Sequence, residues 1–354
     1  MWWIWFPYVI SLALVVYVSN KLGEYVDAMD KKTKLSGAFL GGVLLAAVTS
    51  LPELVTSITA AIMGEPEMTL GNILGSNVFD IAIIGFLMIL FCKRVSSKTI
   101  SRGNVVICIA TLVVSVLILL CTIFGWQIVI PGINVNILTP IILVLYFVAL
   151  LFTREKSSDA AQIEGAEQVT EQGKKDAASS EQAAAAESVS TNKAMALPLK
   201  SIVLRFVLLA VVLVGVSIAM TFMVDIIAEM YGLQRGLAGA LFLGIATSLP
   251  EIVSTFSLVR LGNFDAGYGN IVGSCLFNFG VIAIADICYF AGTVFLTDLS
   301  SLILAACLTA SAVFLLVFAF IRNSKLKVKN SLTIQIFLGA LILASYITFL
   351  VLSV

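Results

Sequence analysis

Apolar residues in this chain gather into ten long runs, at about 4–19, 37–63, 69–91, 104–124, 135–152, 201–224, 236–260, 267–291, 301–322 and 332–353. A helix crossing a bilayer needs about 20 mostly apolar residues. Each run therefore predicts a spanning helix, with ends placed to within a few residues. The first run opens at Met1 with no basic segment before it and no small-residue cleavage site. It is expected to be a retained helix rather than a signal peptide. Residues 153–199 are different material, polar and without an aromatic side chain over most of their length. Such a stretch cannot bury enough apolar area to offset its ordering entropy, which predicts a disordered tether. Its Ala, Glu, Gln and Lys content permits a transient helix.

Two of the runs are interrupted by polar and helix-breaking residues, and the interruptions repeat. Residues 45–79 and 243–277 align without a gap at an offset of 198, with 14 of 35 positions identical. The identities gather on TSLPE (Thr49–Glu53, Thr247–Glu251) and on GNIxGS (Gly71–Ser76, Gly269–Ser274). Short helix-interrupting segments at matching places in two halves of a membrane protein point to a transport site. The repeats begin in the second and seventh runs, so each half holds five helices. An odd number makes the second half enter the membrane in the opposite sense. The predicted fold is thus an all-α polytopic membrane protein of ten transmembrane helices. Two inverted five-helix repeats, 1–152 (with the duplicated stretch at 45–85) and 200–354 (243–283), flank the linker 153–199, and their helices are discontinuous at the duplicated stretches.

Composition and charge place this architecture in a membrane and orient it. The chain is 60% hydrophobic and 12% charged, with a mean hydropathy of +1.07; soluble domains carry about 25% charged residues. When the connections are assigned to alternating sides, 20 of the 21 Lys and Arg residues collect on one side, and Arg235 stands alone on the other. By the positive-inside rule the first side is the cytoplasm. Both termini then lie outside and the linker inside, in a plasma-membrane protein. Adding or removing one helix would scramble this asymmetry. The six cysteines form no CxxC and no even framework, and there is no histidine. Disulfides, zinc sites and histidine proton relays are not expected, and no cofactor or nucleic-acid partner is implied.

The duplicated blocks carry the chemistry. Pro52 and Pro250 lie within apolar runs, lack an N–H and clash with the carbonyl four residues back. Carbonyls around Ala46–Thr49 and Gly244–Thr247 should lose helical partners, which lipid tolerates only where the backbone lines a cavity or meets another partner. A cation is such a partner. Thr49 and Ser50 share a helix face with Glu53, as Thr247 and Ser248 do with Glu251. A second stripe recurs every four residues, Asn72–Ser76–Asp80 and Asn270–Ser274–Asn278, beside glycines that permit close helix approach. Placing an acid at mid-bilayer costs about 2.5–3.5 kcal/mol, so Glu53 and Glu251 at equivalent positions read as functional. The pooled ligands are all oxygen, which suits calcium or sodium and disfavours thiolate and imidazole metals. Asp286, two turns beyond Asn278, is a more distant candidate for lining an ion path.

TSLPE followed by GNxxGS, present twice in inverted halves, resembles the α-repeats of the calcium/cation antiporter superfamily in its sodium/calcium exchanger branch. The likeness is specific over about 45 residues in each half. It implies a secondary antiporter that exchanges calcium for sodium by alternating access and works as a monomer, the first and sixth helices sliding past the rest. It places ligands on Ala46, Thr49, Ser50, Glu53, Ser76 and Asp80, and on Gly244, Thr247, Ser248, Glu251, Ser274 and Asn278. The chain departs from the family pattern at Val48 and Ala246, where GTS is usual, and at Cys275, where GSN is usual. Its acid–amide pair, Asp80 and Asn278, is reversed relative to the archaeal type. That reversal leaves sodium, protons and potassium open as the coupling ion, while the absence of GNxxE disfavours protons. A cation channel is the rival from another class, although internal inverted repeats favour a single-chain exchanger. An intramembrane hydrolase is disfavoured because no histidine or GxSxG accompanies the serines.

Overall fold

A computed structural model describes residues 2–32, 49–95, 99–131, 134–160, 197–260, 264–323 and 331–352. Ten main helices are present among them: α1 (Trp5–Lys32), α2 (Leu51–Met63), α3 (Pro66–Leu90), α4 (Arg102–Phe124), α5 (Leu138–Ala160), α6 (Leu199–Tyr231), α7 (Arg235–Arg260), α8 (Phe264–Cys288), α9 (Leu299–Asn323) and α10 (Ser331–Leu352). Eight are long and apolar enough to cross a membrane, and Leu51–Met63 and Leu138–Phe152 are shorter apolar helices. The ten helices fall on the ten predicted spans, of which residues 37–48 of the second lie outside the described residues. The tether expected at 153–199 lies, between 161 and 196, outside the described residues; α5 runs on to Ala160 beyond its apolar part.

Local signals start and stop these helices. Pro66 opens α3, where a missing N–H costs nothing. Ser101 caps α4 by accepting from Asn104 N at 3.3 Å. Gly64, at φ 84°, turns the chain sharply between α2 and α3, a conformation open mainly to glycine. A small hairpin, β1 (Val129–Ile130) with β2 (Val135–Asn136), links α4 to α5.

The packing repeats the internal symmetry. α3 packs against α7, α9 and α10, and α8 packs against α2, α4 and α5. Exchanging the halves turns one set into the other, and the α1–α6 and α3–α8 contacts map onto themselves. Two apolar clusters result. One joins the central helices α3 and α8 to α4, α5, α7, α9 and α10; the other is built mainly from α1 and α6 with a few residues of α2, α3 and α7. Burial follows: α3 and α8 are mostly buried, whereas α1 and α6 are mostly exposed. Without a hydrophobic drive between helices in lipid, close association depends on small residues. A Cβ on Gly71 would stand 2.1 Å from the Gly236 carbonyl oxygen, and one on Gly239 2.4 Å from that of Met68. α3 and the first half of α7 therefore meet backbone to backbone.

Candidate functional site: a buried cluster of oxygens where the repeats cross

The duplicated blocks come together midway along the core. α2 begins at Leu51 with Pro52 in its first turn, and Ser50 stands at the cap position. α7 runs through Pro250, and just ahead of it Gly239–Gly244 form a π-helical stretch. Such wide turns inside α-helices are frequent at functional sites. Here the stretch delivers the Gly244 carbonyl, which accepts from the hydroxyls of Ser76 at 3.2 Å and Thr247 at 3.4 Å. Thr247 also donates to Leu243 O at 2.9 Å.

Glu53, Asp80 and Glu251 are all fully buried and close enough to feel one another's charge. Their surroundings differ. Glu251 Oε1 accepts from Ser50 Oγ at 3.0 Å, and Ser50 Oγ lies 3.3 Å from Ser274 Oγ. The hydroxyls of Thr247 and Ser248 neighbour the Glu53 carboxyl, and that of Ser248 also neighbours Asp80. None of these meets hydrogen-bond geometry: both oxygens of Glu53, both of Asp80 and Ser248 Oγ are buried without a protein hydrogen-bond partner, as are Glu251 Oε2 and Asn278 Oδ1. A bond must be directed to satisfy a buried charge, so proximity alone leaves these oxygens unpaired. Buried polar groups are almost always paired, so this concentration of orphaned oxygens marks a place built for a ligand.

Of the twelve predicted site residues, Ser50, Glu53, Ser76, Asp80, Gly244, Thr247, Ser248, Glu251, Ser274 and Asn278 surround this locus. Thr49 stands half-buried at the entrance to α2. Ala46 lies outside the described residues. Asn72 and Asn270 act as staples: Asn72 donates to the hydroxyls of Thr56 and Ser57 (2.9 and 2.8 Å), and Asn270 to those of Ser254 and Thr255 (3.0 and 2.9 Å). They lock each broken helix to its companion. Asp286 is a structural hub. It accepts from Asn136 N (2.9 Å), Thr139 Oγ1 (2.5 Å), Thr293 Oγ1 (2.7 Å) and Val294 N (2.9 Å), which ties the β2–α5 entry to the end of α8. With both oxygens spent, it offers nothing to a passing ion. Sequence reasoning passed over Asn77, buried at the α3–α8 crossing and hydrogen-bonded to Cys275 and Asn278; its place in GSN was the available signal.

Among the described residues no three His, Cys, Asp or Glu side chains converge tightly enough to hold a metal alone. A cation at this locus must complete its shell with hydroxyl, amide and backbone oxygens, the ligands of hard ions. A ten-helix membrane protein with two inverted repeats crossing at a buried, all-oxygen, acid-bearing site is, as a class, a cation exchanger of the calcium/cation antiporter superfamily. The sodium/calcium exchanger protein family model matches residues 3–154 and 201–354, and the chain belongs to that family.

Relatives agree at the level of fold. The inner membrane protein YrbG of Escherichia coli (strain K12) is 24% identical over 277 residues, 77% of this chain and 76% of that one. Sodium/potassium/calcium exchanger 2 of Mus musculus is 29% identical over 113 residues, 31% of this chain and 16% of its own. Among solved structures, the sodium-calcium exchanger NCX_Mj superposes with a TM-score of 0.54 at 19% identity, covering 96% of this chain and 95% of that chain. The H+/Ca2+ exchanger CAX superposes at 0.63 with 13% identity, covering 99% and 88%.

Proposed function

We propose that this protein is a secondary antiporter that moves calcium in exchange for sodium by alternating access around the Glu53–Glu251 locus. The observation that carries this reading is the set of fully buried, unpartnered oxygens of Glu53, Asp80, Ser248 and Glu251 at the crossing of two repeats. Leaving charged oxygens buried and unpaired is costly, and a bound cation removes that cost. Calcium needs six to eight oxygens, a number that the two carboxylates, Ser50, Ser248, Ser274, Asn278 and the Gly244 carbonyl can supply. Sodium uses the same oxygens with weaker demands, so the two ions exclude each other, which is the physical basis of exchange. α1 and α6 each pack most extensively on the other and stay largely exposed, the position from which a pair of helices can shift past the central eight. The distribution of Lys and Arg supports a cytoplasmic 153–199 linker and extracellular termini. Each chain holds a complete site, so it is expected to work as a monomer.

A second reading, coupling to protons or potassium, is favoured by one feature. Three carboxylates surround the locus, and one calcium neutralises two charges. The third, on Asp80, needs a companion cation. Vesicles containing the purified protein, loaded in turn with sodium, potassium or a proton gradient, separate the readings. Calcium uptake driven by internal sodium is the expected result. Uptake driven only by potassium or protons reassigns the coupling ion, and uptake without any trans cation overturns exchange in favour of a channel.

A further inference from the structure

Asn77 lies one residue past the predicted ligand Ser76. At the offset of 198 its counterpart is Cys275, and the two face each other across the α3–α8 contact. Three hydrogen bonds form there: Asn77 Nδ2 donates to the backbone carbonyl of Cys275 at 3.2 Å, Asn278 Nδ2 donates to Asn77 Oδ1 at 2.9 Å, and the Cys275 thiol approaches Asn77 O at 3.9 Å. A backbone carbonyl has lone pairs only, so it must face the amide nitrogen of Asn77. The other end of that amide, Oδ1, is then the atom turned toward Asn278. Only the nitrogen of Asn278 can answer it. The Asn278 carbonyl oxygen is left buried with no protein partner.

We propose that Asn77 is a positioning residue that fixes the Asn278 amide with its oxygen, not its NH2, available to the cation. This rests on the reading of the buried oxygens as cation ligands. The same site on the other repeat explains why only one such residue is present. The counterpart of Asn278 is Asp80, whose carboxylate has two equivalent oxygens and no wrong end, and the residue placed to orient it is a thiol. The orienting amide stands beside the one ligand of the pair that can be presented backwards, and a backwards amide would point two partial positive hydrogens at the ion.

A double-mutant cycle separates orientation from simple bracing. Calcium dissociation constants are measured on the purified full-length protein, with calcium alone as the probe, together with KM and maximal rate in vesicles. Asn77→Ala is expected to weaken calcium binding about tenfold, the worth of one hydrogen bond, and to raise KM while leaving the maximal rate largely intact. In an Asn278→Asp background, where no amide remains to orient, the same change should cost less than about twofold. Asn278→Ala serves as the background if the Asp variant does not bind calcium, and Asn77→Ser replaces Asn77→Ala if the latter is not monodisperse. An equal cost in both backgrounds makes Asn77 a mere brace and overturns the inference, as does an unchanged affinity in the single variant. Failure of the parent protein to bind calcium defeats the ligand reading itself, a result distinguishable from either.

Discussion

Glu53 and Glu251 occupy equivalent positions in a duplicated sequence, yet they sit in unlike surroundings. Glu251 is engaged: Ser50 donates to one of its oxygens, and the Ser50–Ser274 hydroxyl pair extends the network. Glu53 has neither oxygen bonded; its neighbour Ser248 is also unbonded, and beside both stands Asp80, an acid where the other repeat has Asn278. An internal repeat thus duplicates the kinds of group but not their states. The Glu251 half is held by the protein's own hydroxyls. The Glu53 half is left with two uncompensated carboxylates in a low-dielectric interior, where the desolvation penalty is greatest and a cation is most strongly favoured.

Charge removal tests this contrast most severely. Glu53→Gln is expected to lower calcium exchange at least about a hundredfold, since it removes the carboxylate that has no protein group to share its charge. Glu251→Gln should also be severe, but with smaller loss of calcium affinity because Ser50 still organises that side. Calcium uptake by vesicles, normalised to inserted protein, measures both. Normal uptake by a well-inserted Glu53→Gln variant removes Glu53 from the site, and a reversed ranking breaks the comparison.

The acid–amide pair offers a sharper, milder probe. Asp80→Asn brings the locus from three carboxylates to two, which one calcium can balance. Calcium binding should survive, while the dependence of calcium uptake on the nature of the trans monovalent cation falls by about tenfold. Asn278→Asp should not reproduce this change, because it adds a fourth carboxylate to the locus instead of removing the third. If calcium binding collapses in Asp80→Asn and monovalent binding persists, Asp80 is itself a calcium ligand and not the seat of the companion charge.

Scaffold glycines give the smallest effect, read as stability. A Cβ at Gly71 meets the Gly236 backbone at 2.1 Å, whereas one at the equivalent Gly269 meets the Asn104 side chain at 2.7 Å. Backbone cannot yield cheaply, whereas the Asn104 side chain can shift at the cost of straining its part-buried bonds to Asp265. Gly71→Ala is expected to cost about 1–3 kcal/mol and Gly269→Ala less than about 1 kcal/mol, seen as a larger drop in the thermal unfolding midpoint in detergent. Equal midpoints would show that the close crossing of α3 and α7 has no stricter demand than the α4–α8 contact at Gly269.

Hydropathy runs, the 198-residue offset and the placement of acids inside apolar segments were enough to determine about ten helices in two repeats and to single out the buried acids Glu53, Asp80 and Glu251 as candidates. Those are one-dimensional signals, because lipid imposes length and polarity on each helix separately. Which hydroxyl reaches which carboxylate was not legible, since Ser50 serves Glu251 of the other repeat rather than the nearby Glu53. Asp286 shows the same limit: an intramembrane acid reads as an ion ligand, but four donors from two separate segments satisfy it in the fold. Asn72 and Asn270 share a stripe with the ligands and became staples, while Asn77, one residue off that stripe, acquired a role through the polarity of a bond to a backbone carbonyl. Hydrogen bonding is directional and pairwise, and its partners come from helices remote in the chain, so only the tertiary structure could decide which buried oxygens were spent and which were left for an ion.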